Sequence, residues 1–227
     1  MQIDQSTRTD LSIFNHDEEQ SVFHQLNYTS TDAGKFWLQQ FFSNPLTNLD
    51  DIKDTQQTIQ IILEHQHQWP GIITNGTIMV LEKFYDTTID DIPRFPNAFN
   101  AAAYKLLHGP DFSIIKYTAG HYIDFLQGMQ QIVNLLSGKD LPSLLNKIVQ
   151  QLVQILNGNE VQQMLEVTSK EKLSKSKILH FGGFIKYRFK NQLNQLIDVY
   201  GKLDALNSMA TAVKKHRLHF PQFQQSD

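Results

Sequence analysis

The chain has 227 residues, of which 41% are hydrophobic and 11% aromatic, so it can bury a core and is not a charge-dominated disordered segment. It contains no cysteine, which excludes disulfides, thiolate metal sites and a cysteine nucleophile, and favours a reducing, cytoplasmic setting. The net charge of −3 argues against a strongly basic nucleic-acid binder, and neither a signal peptide nor an apolar run of about 20 residues indicates a membrane protein.

Two helices are predicted in the first 70 residues. Thr31 and Asp32 are good N-cap residues for the first helix, which ends at the Ser43-Asn44-Pro45 break. The second helix begins at Asp50, where acidic residues favour a helix N-terminus. The predicted buried face of the first helix consists of four aromatic residues: Phe36, Trp37, Phe41 and Phe42.

A third helix is predicted to begin with Pro70 in its first turn and to run through Ile73 and Leu81. Residues 87–97, which include Pro93 and Pro96, are predicted to form a loop. Residues 1–110 together are expected to form a helical core.

Three long apolar stripes follow, and they predict long helices. Ile115–Leu136 has heptad-like steps of three and four residues, Leu141–Leu156 has a wide apolar face, and Phe189–Val213 continues with the same helical spacing. A helix over about 183–217 would be some 50 Å long at a rise of about 1.5 Å per residue. The 115–136 segment is expected to pack against it in an antiparallel coiled-coil manner.

The predicted fold class is therefore all-α, a helical core with long antiparallel lever helices. We expect lever helices in 111–199 with a distal tip at about 158–183, and a returning helix and exit segment in 200–227. One short strand is possible at Ile178–Phe181, beside Gly182-Gly183.

Catalytic signatures are scarce. The sequence has no phosphate-binding loop of the G-x-x-x-x-G-K-[ST] kind, no G-x-S-x-G elbow and no H-E-x-x-H pair. His65 and His67 would point about 200° apart on a helix, which disfavours joint metal binding. His16-Asp17 matches the doublet of metal-dependent HD phosphohydrolases but lacks an identified second pair. We expect no enzymatic activity, and no cofactor, in this fragment.

A basic cluster between residues 170 and 190 is the strongest charge feature. It can be a solvated helix start, or a site where cations reach DNA phosphates without reading bases. Tyr187 lies among the bases, whereas Phe189 continues an apolar stripe and is expected in the core. The candidate DNA-binding residues are Lys170, Lys172, Lys175, Lys177, Lys186, Arg188 and Lys190.

Two separated stretches resemble the MutS family of DNA mismatch repair ATPases. The first consists of residues 4–11 (DQSTRTDL), Phe23, Leu26, residues 29–34 (TSTDAG), Pro45-Leu46, Ile52 and Gln56-Gln57. The second consists of Tyr200, residues 203–206 (LDAL), residues 208–210 (SMA) and Pro221-Gln222-Phe223. The order and separation of the two stretches are more specific than either alone. One departure is Thr55, which stands where the family pattern carries an arginine.

This resemblance implies a core and lever domain, domain III, that relays between DNA contact and an ATPase. It also implies that the mismatch-reading domain, the connector domain and the ATPase domain, with its ATP and Mg²⁺, lie outside this sequence. We expect the natural protein to begin at Met1 without the first two, and the ATPase to be truncated after Asp227. The expected interactions are weak contact with the phosphate backbone of DNA and homodimerisation of the full-length protein.

Two other readings remain open at the level of sequence. One is a helical protein-interaction or dimerisation scaffold without a nucleic-acid role. The other is a helical phosphohydrolase centred on His16-Asp17.

Overall fold

The computed structural model describes residues 12–14, 21–138 and 140–223. Within these residues the regular structure is helical, without strands, so the predicted all-α class is confirmed. The helices are α1 Val22–Leu26, α2 Asp32–Ser43, α3 Leu49–His65, α4 Asn75–Asp86, α5 Ala98–Leu107, α6 Gly109–Leu136, α7 Ser143–Leu156, α8 Asn159–Leu165, α9 Lys175–Arg188 and α10 Lys190–His216. Short 3-10 turns cover Gln66–Gln68 and Lys170–Lys172. The doublet His16-Asp17 lies outside the described residues.

Side-chain caps explain where the early helices begin. The Thr31 hydroxyl accepts a hydrogen bond from the Gly34 N–H at 3.0 Å, so α2 starts where predicted. The prediction for Pro70 is wrong, because α4 begins at Asn75. Thr74 supplies the cap there, and Ile73 is already buried ahead of the helix. The predicted loop at 87–97 contains no helix, and α5, which the sequence analysis missed, follows it.

The long C-terminal helix predicted at 183–217 is two helices. Phe189, with φ −106° and ψ 0°, separates α9 from α10. The strand expected at Ile178–Phe181 is wrong, because this segment belongs to α9. The buried residues of α9 form a wide face with helical spacing, and they are Ile178, Leu179, Phe181, Gly182, Phe184 and Ile185.

Two compact units make up the chain. Unit 1 consists of residues 1–69, 135–149 and 199–227, and unit 2 of residues 70–134 and 150–198. Predicted boundaries between core, lever and returning helix, at 110 and 199, stay predictions.

The core of unit 1 forms around Phe23, Leu38 and Ala205. Partly buried side chains pack against these three, and they are Trp37, Phe41, Phe42 and Met209. Phe36 was expected inside but is 53% exposed. It lies two residues from the fully buried Leu38, about 200° around the helix, so it faces the solvent.

The predicted apolar stripe of α6 is buried at all seven positions, of which six lie in unit 2 and the last, Leu136, in unit 1. The stripe is confirmed at Ile115, Ala119, Tyr122, Leu126, Met129, Val133 and Leu136. A Cβ added at Gly182 of α9 would collide with the Ile115 side chain, so glycine permits this close approach.

The direction of α6 relative to α9 differs from the antiparallel pairing expected for residues 115–136. Ile115 lies against Gly182, and seven residues further along both segments the Tyr122 and Phe189 rings are 6.2 Å apart. Residues 115–122 of α6 and residues 182–189 therefore run in the same direction. Between them the chain forms α7 and α8, so no short turn imposes an antiparallel arrangement.

None of the helices in the described part of the chain combines the length and apolar character needed to cross a bilayer.

Candidate nucleic-acid interface

The seven predicted cations all lie in unit 2, on three consecutive elements. Lys170 and Lys172 belong to the second 3-10 turn, four cations lie on α9, and Lys190 begins α10. Lys175 and Lys186 are eleven residues apart on α9, which is about 16 Å along the axis at about 1.5 Å per residue. This exceeds the screening length of about 8 Å at physiological salt, so the cluster divides into two groups.

Three of the seven cations have partners within the fold. The Lys170 ammonium forms an ion pair with Asp124 at 2.7 Å, and the Arg188 guanidinium lies 3.1 Å from the Glu160 carboxylate. Lys186 donates to three backbone carbonyls at the C-terminal end of α4, at 2.7 to 3.1 Å. Burial lowers the pKa of Lys186, and the nearby Asp86 opposes this effect. Lys186 therefore binds the last carbonyls of a helix.

The other four cations are available at the surface to different degrees. Lys172 and Lys175 are exposed and have no ion-pair partner within 4 Å among the described residues. Lys177 lies 5.5 Å from the Phe181 ring, and Lys190 lies 5.5 Å from the Tyr85 ring. Such ring contacts leave an ammonium able to bind a phosphate.

Two features make the first turn of α9 electropositive. Lys175 and Lys177 occupy this turn, which contains no acidic residue. Cations at a helix N-terminus oppose the macrodipole and are unfavourable without an anion. The nearest acid in the chain, Glu171, is exposed, and hydrogen bonds from its own backbone N–H and from Ser169 lower its pKa.

A groove in unit 2 was not predicted from the sequence. It encloses about 1160 Å³ between the 91–97 loop and one face of α9. Arg94, His180, Tyr187 and Arg188 line it. The Tyr187 hydroxyl accepts a hydrogen bond from the Ile92 N–H at 3.4 Å, and the side chain is 57% exposed. Phe189 is 2% exposed, as expected for a core residue.

One group of side chains in unit 2 has metal-ligand chemistry. Ligand atoms of Asp90, His108 and Asp111 lie within 4.8 Å of one another. His108 pairs with the Asp90 carboxylate, and the Asp111 carboxylate accepts the Asp90 N–H at 2.9 Å. These contacts close the loop before α5 onto the start of α6, so each group has a structural role.

The two sequence stretches that carry the family resemblance meet in unit 1. The buried Asp204 carboxylate accepts hydrogen bonds from the Ser30 N–H at 3.0 Å, the Thr31 N–H at 2.9 Å and the Thr31 hydroxyl at 2.8 Å. A Cβ added at Gly34 would collide with this carboxylate. Burial raises the pKa of Asp204, and these hydrogen bonds oppose the rise.

A second contact joins the same stretches. The Gln56 amide donates to the Pro221 carbonyl at 3.4 Å. Next to it, Thr55 lines a cavity of about 480 Å³ in unit 1. Asp54, on the same helix, accepts the backbone N–H groups of Ser143 and Leu144 and so caps α7. These two backbone N–H groups thus satisfy the Asp54 carboxylate, which lies next to Thr55, the position where the family pattern carries an arginine.

The described residues thus form an all-α structure in which the buried Asp204, on the last helix, holds the backbone of Ser30 and Thr31 at the start of α2. The family model for MutS domain III matches residues 6–210. The chain belongs to the MutS family.

The chain is similar to the DNA mismatch repair protein MutS of Rickettsia canadensis (strain McKiel), with 27% identity over 208 residues. This alignment covers 89% of the chain and 21% of the relative, so the chain spans only a minor part of that protein's length. No solved structure matches the chain.

Proposed function

We propose that this chain is the helical core and lever module of a MutS-like DNA mismatch repair protein, and that it relays between DNA contact and ATP binding. The match to domain III over residues 6–210 is the observation that carries the proposal. ATP and Mg²⁺ would bind to another domain of the complete protein, and the module itself would have no enzymatic activity. We also propose a cytoplasmic setting, consistent with a chain that lacks cysteine.

We place the DNA contact of this module at the start of α9. Lys172 and Lys175 are exposed, and Lys177 follows within the same turn region. Three cations can reach phosphate oxygens there, while Lys186 is bonded to three carbonyls of its own unit. Contacts of this kind neutralise phosphates and release counterions, so they give affinity without base readout.

The test is a titration of duplex and branched DNA at several salt concentrations. Each phosphate contact contributes about 0.9 to the slope of log affinity against log salt. The double variant Lys172→Glu/Lys175→Glu should therefore weaken binding and reduce the slope by about 2. Glu171→Gln removes a neighbouring anion and should strengthen binding.

A matched control carries the same charge change elsewhere. Lys53→Glu/Lys83→Glu alters two exposed lysines on α3 and α4 and should leave the salt slope unchanged. Equal losses in both double variants would show that only net charge matters. No binding by the unmodified chain at low salt would contradict DNA contact by this module.

A further inference from the structure

Three side chains with metal-ligand chemistry lie at the two ends of helix α5 in unit 2. Asp90 lies in the loop before α5, His108 follows the last residue of α5, and Asp111 lies in the first turn of α6. Their ligand atoms lie within 4.8 Å of one another, although the residues come from three different elements. The segment that they span, residues 90–111, therefore already has its two ends together in space.

The mixed donor set separates this group from an ordinary cluster of surface acids. Two carboxylates and one imidazole offer oxygen donors together with a nitrogen donor, which suits first-row transition ions. Zn²⁺ binds such ligands at about 2.0–2.2 Å, and sites with three protein ligands keep a fourth position for water. Mg²⁺ and Ca²⁺ are hard cations that prefer oxygen ligands alone. The donors thus fit an ion such as Zn²⁺ better than either hard cation.

The distances between the ligand atoms require movements of about 1 Å to accept an ion. Two ligands of one tetrahedral Zn²⁺ are about 3.3–3.5 Å apart, given bond lengths of about 2.0–2.1 Å. His108 Nδ1 lies 2.5 Å from the Asp90 carboxylate, so this pair must open, whereas the wider separations, of at most 4.8 Å, must close. The Asp90 side chain is 65% exposed and can turn outward. Its exposure also lets water complete the coordination.

The backbone that carries the ligands is already held in place. The Asp111 carboxylate accepts the Asp90 N–H at 2.9 Å, and the Tyr104 hydroxyl donates to the Asp90 carbonyl at 3.0 Å. The Tyr104 ring also lies 4.9 Å from the His108 ring. Tyr104 is 5% exposed, so the core of unit 2 fixes its position. Contacts of this kind orient metal ligands before the ion binds.

The charge around the three ligands favours a cation. Neither Asp90 nor Asp111 has a lysine or arginine within 4 Å in the described part of the chain. Burial raises the pKa of the nearby Tyr104 hydroxyl to about 12, and negative charge on Asp111 and Asp90 adds to this rise. A neutral His108 imidazole leaves both carboxylate charges uncompensated. A divalent ion would balance them.

We propose that Asp90, His108 and Asp111 bind one Zn²⁺ or a similar divalent transition ion, with water at the remaining position. The ion joins the loop before α5 to the start of α6, and it stabilises unit 2 because it closes a loop that is open in the unfolded chain. Its role is structural. The proposal goes beyond the relay between DNA and ATP and does not depend on it.

Isothermal titration calorimetry of the tag-free chain with Zn²⁺ tests the proposal. We expect one saturable site, and we expect Mg²⁺ to bind at least about tenfold more weakly, because it does not favour an imidazole ligand. Asp111→Asn and His108→Gln should each weaken Zn²⁺ binding by about tenfold or more. Co²⁺ gives a second readout, because its visible absorption should change when His108→Gln removes the nitrogen donor.

Two matched variants keep all three ligands. Asp91→Asn removes the same charge beside Asp90 without removing a ligand, so it should change Zn²⁺ affinity by only about two- to threefold. His65→Gln/His67→Gln removes two histidines of unit 1 and should leave the affinity unchanged. In thermal unfolding followed by circular dichroism, Zn²⁺ should raise the melting temperature of the unmodified chain and of both controls, but not that of Asp111→Asn.

Three outcomes would overturn the proposal. The first is no saturable Zn²⁺ binding up to about 1 mM. The second is equal affinity for Zn²⁺ and Mg²⁺, which would reduce the effect to general attraction by acids. The third is unchanged Zn²⁺ affinity in folded Asp111→Asn and His108→Gln variants. Asp111→Asn keeps a side-chain oxygen that can accept the Asp90 N–H, so this variant retains the contact that holds the loop.

Discussion

Replacing Asp204 with alanine would remove the contact that joins the first and last segments of unit 1. Ser30 is exposed, so water can replace the hydrogen bond that its N–H loses. Thr31 is 3% exposed, and its N–H and hydroxyl would lose their acceptor in a buried site. An unpaired buried donor costs about 1–3 kcal/mol.

The net effect also includes the charge of Asp204. Because burial raises the pKa of this carboxyl, its ionised form is partly disfavoured, and truncation relieves that cost. Weighing two unpaired donors against this relief, we expect Asp204→Ala to lower the free energy of unfolding by about 2–4 kcal/mol. Asp204→Asn should also destabilise unit 1, because its NH₂ group would face N–H donors.

Tryptophan fluorescence during urea unfolding measures this effect in unit 1 alone. Both tryptophans of the chain, Trp37 and Trp69, belong to unit 1. At a slope of about 1–3 kcal/mol per molar urea, the midpoint should fall by about 1–2 M without a change of slope. Asp50→Ala, an exposed change in the first turn of α3, should cost less than about 1 kcal/mol. If Asp204→Ala costs no more than Asp50→Ala, the assigned role of Asp204 is refuted.

Three further predictions concern packing, the partly buried cation Lys186 and the tyrosines. A Cβ at Gly201 would lie 2.8 Å from the Ala33 carbonyl oxygen, so Gly201→Ala should destabilise unit 1 by about 1–3 kcal/mol in the fluorescence assay. Gly138→Ala, whose nearest contact would be 3.9 Å away, should not, and equal effects would refute the packing argument. Lys186→Met should lower the free energy of unfolding, followed by circular dichroism, by about 1.5–3 kcal/mol, because three carbonyls lose their donor. Its DNA affinity should change little. A large loss of DNA affinity in a folded variant would contradict the structural role of Lys186. Alkaline titration should show tyrosinate absorbance rising late and together with unfolding, because a raised folded-state pKa gives stability that is complete below about pH 10 and is lost above it. Burial raises the pKa of four of the seven tyrosines, that of Tyr104 to about 12, and the four are Tyr85, Tyr104, Tyr122 and Tyr200. Ionisation of all seven tyrosines at the ordinary pH in the folded chain would contradict this burial.

Local chemistry made part of the fold predictable. Thr31 identified the start of α2 because a side-chain cap depends on neighbours only three residues away. The stripe of α6 identified a long buried helix because its spacing is regular over 22 residues, from Ile115 to Leu136.

Other features depend on contacts that are distant in sequence. Phe36 looked like part of a buried aromatic face, but the packing of Leu38 decides which side of α2 points inward. Helix α5 was missed because its large apolar residues, Phe99 and Leu106, lie on the outer face and Ala101 on the inner one. Periodicity identifies an apolar face but not its orientation.

The basic cluster shows the same limit for function. The sequence identified seven cations within 21 residues, but it could not separate those that bind carboxylates or carbonyls from those that face solvent. Asp124 and Glu160, which neutralise two of them, lie 46 and 28 residues away along the chain. Only the folded structure isolates Lys172 and Lys175 as exposed cations that, among the described residues, have neither an ion pair, as Arg188 has, nor a ring contact, as Lys190 has.

The contact of Asp204 with Thr31 also affects how the protein can fold during synthesis. The two residues are 173 positions apart, and unit 1 contains the first 69 residues of the chain. At about 5–20 residues per second, Thr31 must wait roughly 9–35 s for its acceptor to be translated. All of unit 2 ends at residue 198, before Asp204 is made. We therefore expect unit 2 to be able to fold on the nascent chain before Asp204 is translated, while the apolar helices before residue 69 require protection until the segment that begins at residue 199 emerges.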